Sequence, residues 1–332
     1  LFESMLKSAQ VNFWCRATTG QIVTPWSNND ESRESLKARG SELLRMAIQR
    51  RQIKGHVADI ATPYQLMGAA WANARPYVMN VWACGSGKTL GTIMAALCRD
   101  GDVVVICPAK ARHVWWSQVQ EYSTITPFRV KPQAEVRKKD QTFEEYEHMC
   151  REKGQRKFVI VGAESIADNA DLVRQIAPTI LILDEIHTHG NSKRWRAIHN
   201  VDGTVRFEKR KTSASNNPNS QVNRHARAVA MMEVSRIRSL QLRIGLTATP
   251  LDDGRPRRLW SQLDLLAPGG FSHSYSNFAT RYCAARPGTY GGLDDSGASH
   301  IKELKARCSF LVHEVTLKSA QYTGSGRLLD EY

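Results

Sequence analysis

The chain has 332 residues, with 46 Lys plus Arg against 32 Asp plus Glu and a net charge of +14. A chain this long can fold without metals or disulfides, and its seven cysteines include no CxxC pair, which fits free thiols in a reducing compartment and excludes a disulfide-stapled scaffold. No apolar run approaches the roughly 20 residues of a membrane helix and no signal-peptide succession opens the chain, so an intracellular, soluble protein with no membrane partner is expected, surrounded by a field that attracts polyanions.

Residue 1 is Leu and the chain ends at Leu-Leu-Asp-Glu-Tyr, so both ends read as cuts in a longer protein. Residues 1–60 read as an accessory helical region. Within it Pro25–Asn29 is a loop, and Glu31 to about Gln52 is rich in helix formers, with Leu36, Leu43, Leu44, Met46 and Ile48 as apolar positions. From residue 61 to 318 the pattern changes to short apolar strands at Tyr77–Trp82, Val103–Cys107, Phe158–Val161, Ile180–Leu183 and Arg243–Leu246. Helical segments fall between them at Thr89–Arg99, Lys110–Tyr122 and Asp171–Ile176. This alternation predicts an α/β fold, a mainly parallel sheet with helices on both faces.

Two stretches interrupt the rhythm. Residues 203–227 carry Arg206, Lys209, Arg210, Lys211, Arg224 and Arg227 against Glu208 alone and show no apolar period, which predicts a mobile basic loop. Residues 287–299, rich in Gly, Ser and Asp, predict a second loop between helical segments at Ser276–Ala285 and His300–Cys308. Residues 319–332 read as the start of a linker.

Ala-Cys-Gly-Ser-Gly-Lys-Thr at 83–89 follows an apolar strand and opens a helical segment, the context of a phosphate-binding loop. Gly85 and Gly87 let backbone N–H groups turn toward phosphate oxygens, and the helix N-terminus adds its partial positive charge. Lys88 would reach the β- and γ-phosphates of ATP and Thr89 would ligate Mg2+. The nucleotide-binding stretch is therefore Cys84, Gly85, Ser86, Gly87, Lys88, Thr89 and Leu90. Trp82 stands where the full pattern has its first Gly, so a plain Gly-rich turn with a surface Lys is the competing reading. A hundred residues on, Ile-Leu-Ile-Leu-Asp-Glu at 180–185 is an apolar strand ending in two carboxylates. Asp184 would hold Mg2+ and Glu185 would activate the attacking water, with Lys88, Asp184 and Glu185 as the catalytic set; a pair of solvated acids is the alternative. Both stretches fall at the carboxyl edge of one sheet, where such folds bind ligands. His187, His189 and His199 match no zinc spacing.

Gly-Lys-Thr, then Asp-Glu-Ile-His at 184–187, then Gly-Leu-Thr-Ala-Thr-Pro-Leu at 245–251 resemble motifs I, II and III of superfamily-two helicases and translocases. Pro63-Tyr64-Gln65, Cys107-Pro108 with Trp115-Trp116, Leu259–Leu263, Pro268–Phe271, Phe278 and Arg281–Cys283 resemble the Swi/Snf-type branch of double-stranded DNA translocases. The resemblance covers roughly residues 62–318 and implies the first RecA-like, P-loop NTPase lobe of a DNA helicase or translocase. It implies adenine reading by Gln65, a contact of His187 toward the γ-phosphate, and coupling of hydrolysis to DNA through Thr247 and Thr249. Ile301–Leu304 and Phe310–Leu317 fall where the family carries a helix and the link to its second lobe. Ile186 replaces the usual Ala of the acidic motif, and Val312-His313-Glu314 stands where an arginine pair is common.

The partner implied is DNA, read as duplex and contacted through phosphates. Lys110, Arg112, Arg210 and Lys211 are the candidate contacts, the last two equally readable as a solvated linker. Trp115 and Trp116 could stack on bases, and for one of them a place in the core is the stronger reading, because adjacent helical positions point about 100° apart. A second RecA-like lobe, in cis or in trans, is also implied, so turnover by this lobe alone should be weak. The function expected is an ATP hydrolase lobe that translocates on or remodels duplex DNA. The alternatives are a DNA-docking or assembly module with little hydrolysis, or an RNA helicase lobe.

Overall fold

The computed structural model describes residues 32–131, 136–137, 140–189, 226–251, 255–272, 274–288 and 293–315, with the backbone of 197–199, 205–207 and 221–225. Among them the strands in chain order are β1 (Tyr77–Trp82), β2 (Val103–Cys107), β3 (Phe128–Arg129), β4 (Phe158–Gly162), β5 (Ile180–Leu183), β6 (Ala197–His199), β7 (Val205–Phe207), β8 (Leu242–Thr247), β9 (Arg286–Pro287), β10 (Leu293–Asp294) and β11 (Val312–Val315). Seven of them form one sheet in the order β11-β1-β8-β5-β2-β4-β3, and every neighbouring pair is parallel. The fold is α/β, a parallel sheet covered by helices on both faces.

β2, β4 and β5 are buried at every position, as strands covered on both faces must be. Alternation along them sends side chains to two cores. Val104, Ile106, Val159, Val161, Leu181 and Leu183 join the Phe143–Glu152, Ile166–Ile176 and Leu259–Leu266 helices on one face. Val103, Val105, Phe158, Ile160, Ile180 and Ile182 meet the Lys88–Leu97 and Arg112–Tyr122 helices on the other. Each fully buried Val, Ile or Leu there contributes about 1.5–3 kcal/mol.

The Arg33–Gln49 helix starts where Ser32 Oγ accepts from Ser35 N at 3.1 Å. It buries Leu36, Gly40, Leu44 and Ala47, one stripe at helical spacing. Gly40 allows it to lie directly on the Pro63–Asn73 helix, since a Cβ there would stand 2.1 Å from the Leu66 carbonyl oxygen. Leu44 and Ala47 thereby enter the same core as Leu66, Ala69 and Ile93.

The predicted basic loop at 203–227 is corrected at both of its ends. Gln221–Val234 is a helix and Val205–Phe207 pairs antiparallel with Ala197–His199. No Gly or Pro interrupts Gln221–Val234, and the buried Ala228, Val229, Ala230, Met231 and Val234 anchor it. Arg210 and Lys211 lie outside the described residues. The stretch predicted as a loop at 287–299 contains half of a short pairing, Pro287 opposite Leu293. Within Phe310–Leu317, Val312–Val315 is a strand that extends the sheet beside β1; two of its four residues are His and Glu, so no apolar period marks it.

Because all seven strands run in parallel and β8 lies between β1 and β5, the segments that follow β1, β8 and β5 leave the sheet side by side. Among the described residues no helix is long and apolar enough to cross a membrane.

Candidate functional site

After β1 the chain turns through Gly85 and Gly87 at φ 77° and 73° and enters the Lys88–Leu97 helix. L side chains rarely adopt that left-handed conformation. A Cβ on Gly87 would also stand 2.5 Å from Gln65 Nε2, so that side chain would have to shift. The loop is closed from within and from the Pro63–Asn73 helix. Ser86 Oγ donates to the Ala83 carbonyl at 2.7 Å, Tyr64 Oη donates to the Ser86 carbonyl at 2.5 Å, and Gln65 Nε2 donates to the Gly87 carbonyl at 3.1 Å. Gln65 Oε1 accepts from Thr62 N at 2.9 Å, so this side chain braces the loop from the helix start. Lys88 Nζ donates to the carbonyls of Trp82 at 3.0 Å and Ala83 at 3.3 Å, which holds the ammonium over the loop. Cys84 is exposed, Thr89 is partly buried, and the Leu90 side chain packs in the core. Leu90 can therefore offer a ligand its backbone only.

Asp184 and Glu185 follow β5. Asp184 Oδ2 accepts from Trp115 Nε1 at 2.9 Å and Oδ1 accepts from Glu185 N at 3.1 Å. Burial holds the Asp184 carboxyl above its ordinary pKa, against the indole bond that lowers it; neighbouring Glu185 pushes it up and Lys88 pulls it down. A half-buried carboxylate with neutral donors on both oxygens is a site that a divalent cation would stabilise. His189 supports the same turn: its Nε2 lies 2.6 Å from the Asp184 carbonyl, and burial lowers its pKa to about 4. It is neutral near pH 7, and Nε2 carries the proton, since a carbonyl can only accept.

Glu185 has left-handed backbone, φ 51°, at the entry to the Ile186–Thr188 turn. Its Oε2 lies 3.3 Å from His187 Nδ1, which also lies 2.9 Å from Thr247 Oγ1. Nδ1 thus faces both oxygens. Thr247 Oγ1 accepts in turn from Thr249 N at 3.0 Å. Glu185, His187, Thr247 and Thr249 thus form one chain of contacts from the end of β5 to the end of β8.

The structure brings together Gln65, 84–89, Asp184, Glu185, His187, Thr247 and Thr249. Lys110 is exposed just beyond β2, whereas Arg112 donates to the carbonyls of Ala109 at 3.3 Å and Val130 at 3.0 Å and so braces its own helix. The two tryptophans divide: Trp115 is buried, and Trp116 stacks on exposed His113 with ring centroids 6.1 Å apart. Sequence reading missed Trp115 as the partner of Asp184, Tyr64 as the partner of Ser86, and His189. The available signal was general, that a buried indole N–H or phenol needs an acceptor.

No protein-family model and no curated protein matches this chain. Among solved structures, the Sulfolobus solfataricus SWI2/SNF2 ATPase core in complex with dsDNA is similar to it, with 17% identity and a TM-score of 0.47 over 76% of this chain and 44% of that one. The chain thus spans less than half the length of that structure's chain.

Proposed function

We propose that the chain is the ATP-binding lobe of a DNA-dependent ATPase that translocates on or remodels duplex DNA. The observation that carries this reading is the continuous contact from Glu185 through His187 to Thr247 and Thr249, beside a phosphate loop on the adjoining strand. It joins the group suited to hydrolysis to a segment at the same sheet edge that can answer to a bound polymer.

The loop's turned backbone and the first-turn N–H groups of the Lys88–Leu97 helix would receive the phosphates, those amides having no partner inside the helix. Lys88 would leave its two carbonyls for the β- and γ-phosphate oxygens. Thr89 and Asp184 would hold Mg2+, whose chemistry is to neutralise charge on the phosphate oxygens. Glu185 would take a proton from the attacking water as oxygen bonds to the γ-phosphorus and the bond to the ADP oxygen breaks. Gln65, which already braces the loop at Gly87, would tie adenine occupancy to loop shape. Arginines from a second RecA-like lobe, in cis or in trans, would complete the charge neutralisation, an effect worth about 10³-fold or more.

DNA would be met through phosphates, given the net charge of +14 and exposed Lys110. Duplex affinity should then fall about 10-fold or more between roughly 50 and 200 mM salt and depend little on sequence. Fluorescence anisotropy with two unrelated duplexes measures both. A shallow salt slope with a strong preference for one duplex would contradict the translocase reading.

A further inference from the structure

We propose that His313, on the edge strand β11, is a positioning residue for the phosphate loop and acts through Trp82. The inference rests on the nucleotide role proposed for residues 83–89.

Trp82 ends β1 at the position where the full phosphate-loop pattern has Gly. Its side chain is 1% exposed and is held on several sides. Tyr64 meets it edge-on with centroids 5.5 Å apart. A Cβ on Gly68 or Gly91 would stand 2.5 or 2.7 Å from the ring, so the Pro63–Asn73 and Lys88–Leu97 helices both press directly on the indole. The remaining polar contact is the bond from Trp82 Nε1 to His313 Nδ1 at 2.9 Å. An indole N–H can only donate, so Nδ1 accepts and the imidazole proton sits on Nε2. Burial first, and Arg75 second, lower the His313 pKa to about 4, so the imidazole keeps that lone pair at neutral pH.

The same strand grips the same place through its backbone, since Ala83 N donates to the Val315 carbonyl at 2.9 Å. What this grip fixes is the acceptor pair of Lys88: the ammonium rests on the carbonyls of Trp82 and Ala83. A second route runs through Tyr64, which abuts the indole and donates to the Ser86 carbonyl. Removing the Nδ1 acceptor leaves a buried indole N–H unsatisfied, and the indole can regain a partner only by turning. Its turning moves the Lys88 acceptors and the Tyr64 brace together. Bulk at residue 82 thus takes over work that a Gly would leave to the backbone, and His313 locks that bulk in place.

The test compares the wild-type chain with His313→Asn, His313→Leu and Trp82→Phe. Asn Oδ1 occupies the place of Nδ1 and can accept; Leu keeps bulk without an acceptor; Phe removes the N–H from the other side. Amide hydrogen exchange across 83–90 without nucleotide, Mg-ATP affinity and thermal melting are measured on each. His313→Leu and Trp82→Phe should speed exchange across 83–90 and weaken Mg-ATP binding about 5-fold, as losing one net hydrogen bond predicts, with His313→Asn within about 2-fold of wild type. The proposal is overturned if His313→Asn behaves like His313→Leu. It is also overturned if exchange across 83–90 stays at the wild-type rate in His313→Leu or, should that variant not fold, in Trp82→Phe. Wild-type protein that fails to bind Mg-ATP would sink the nucleotide reading, while the exchange pattern would still decide the role of His313.

Discussion

The loop at 83–89 and the acids at 184–185 follow strands separated only by β8, yet different kinds of group hold them. In the loop the acceptors are backbone carbonyls, at Trp82, Ala83, Ser86 and Gly87. At the acids side chains hold side chains: Trp115 on Asp184, and His187 between Glu185 and Thr247. Lys88 can exchange neutral carbonyls for a phosphate with little rearrangement, because no carboxylate holds it among the bonds it makes. Asp184 is fixed in advance by an indole that is itself core. The contrast teaches that in the half proposed to receive phosphates Lys88 can change partners within a braced loop, whereas in the half proposed for chemistry the side chains are set in advance, as electrostatic catalysis requires.

Substitutions should reproduce the contrast. The largest effect is expected at Glu185→Gln, which keeps shape and loses the base: single-turnover ATP hydrolysis, with duplex DNA present and a second lobe supplied, should drop by about 10²–10⁴-fold. Mg-ATP affinity and melting temperature should hold. A rate within about 2-fold of wild type would remove Glu185 from the chemistry.

A smaller effect separates the two halves. Trp115→Phe deletes a donor to a half-buried carboxylate, so the Mg2+ concentration for half-maximal ATP binding should rise about 10-fold. Unchanged Mg2+ dependence in a folded variant would show that the indole serves packing alone. Acidity offers a gentler probe of the same carboxyl. With its folded pKa raised, mainly by burial, Asp184 contributes stability below its unfolded pKa, and that contribution is lost as pH rises through the folded value. Cation binding runs the other way, because it needs the ionised form. Mg-ATP affinity should therefore fall on acidification at a pH above the ordinary aspartate range, and higher still in Trp115→Phe, since the indole bond lowers this pKa. Affinity unchanged down to about pH 4 would contradict the assignment.

The central sheet was legible in the sequence because its strands are short, apolar and buried on both faces: Tyr77–Trp82, Val103–Cys107 and Ile180–Leu183 have the predicted bounds. β11 was not, since His313 and Glu314 break its apolar run, and it is a strand only because β1 offers a parallel edge. The Phe143–Glu152 helix hid among charges; its signal was the capping box of Thr142 and Glu145, which local inspection could have found. Gly85, Gly87, Lys88, Asp184 and Glu185 could be named because backbone chemistry dictates residue types at fixed spacing. Trp115, His189 and His313 could not, because each meets its partner through tertiary packing, across 231 residues for His313 and Trp82.

The most direct test of the account is Mg-ATP binding by calorimetry for wild type and Lys88→Ala, with thermal melting of each. Lys88 is partly exposed and bonds to two neutral carbonyls, so its loss should leave the fold intact and weaken nucleotide binding by roughly 10²-fold or more, the scale of a lost charge-assisted contact pair. A well-folded Lys88→Ala protein that binds Mg-ATP as tightly as wild type would contradict the assignment of residues 83–89 as the phosphate loop.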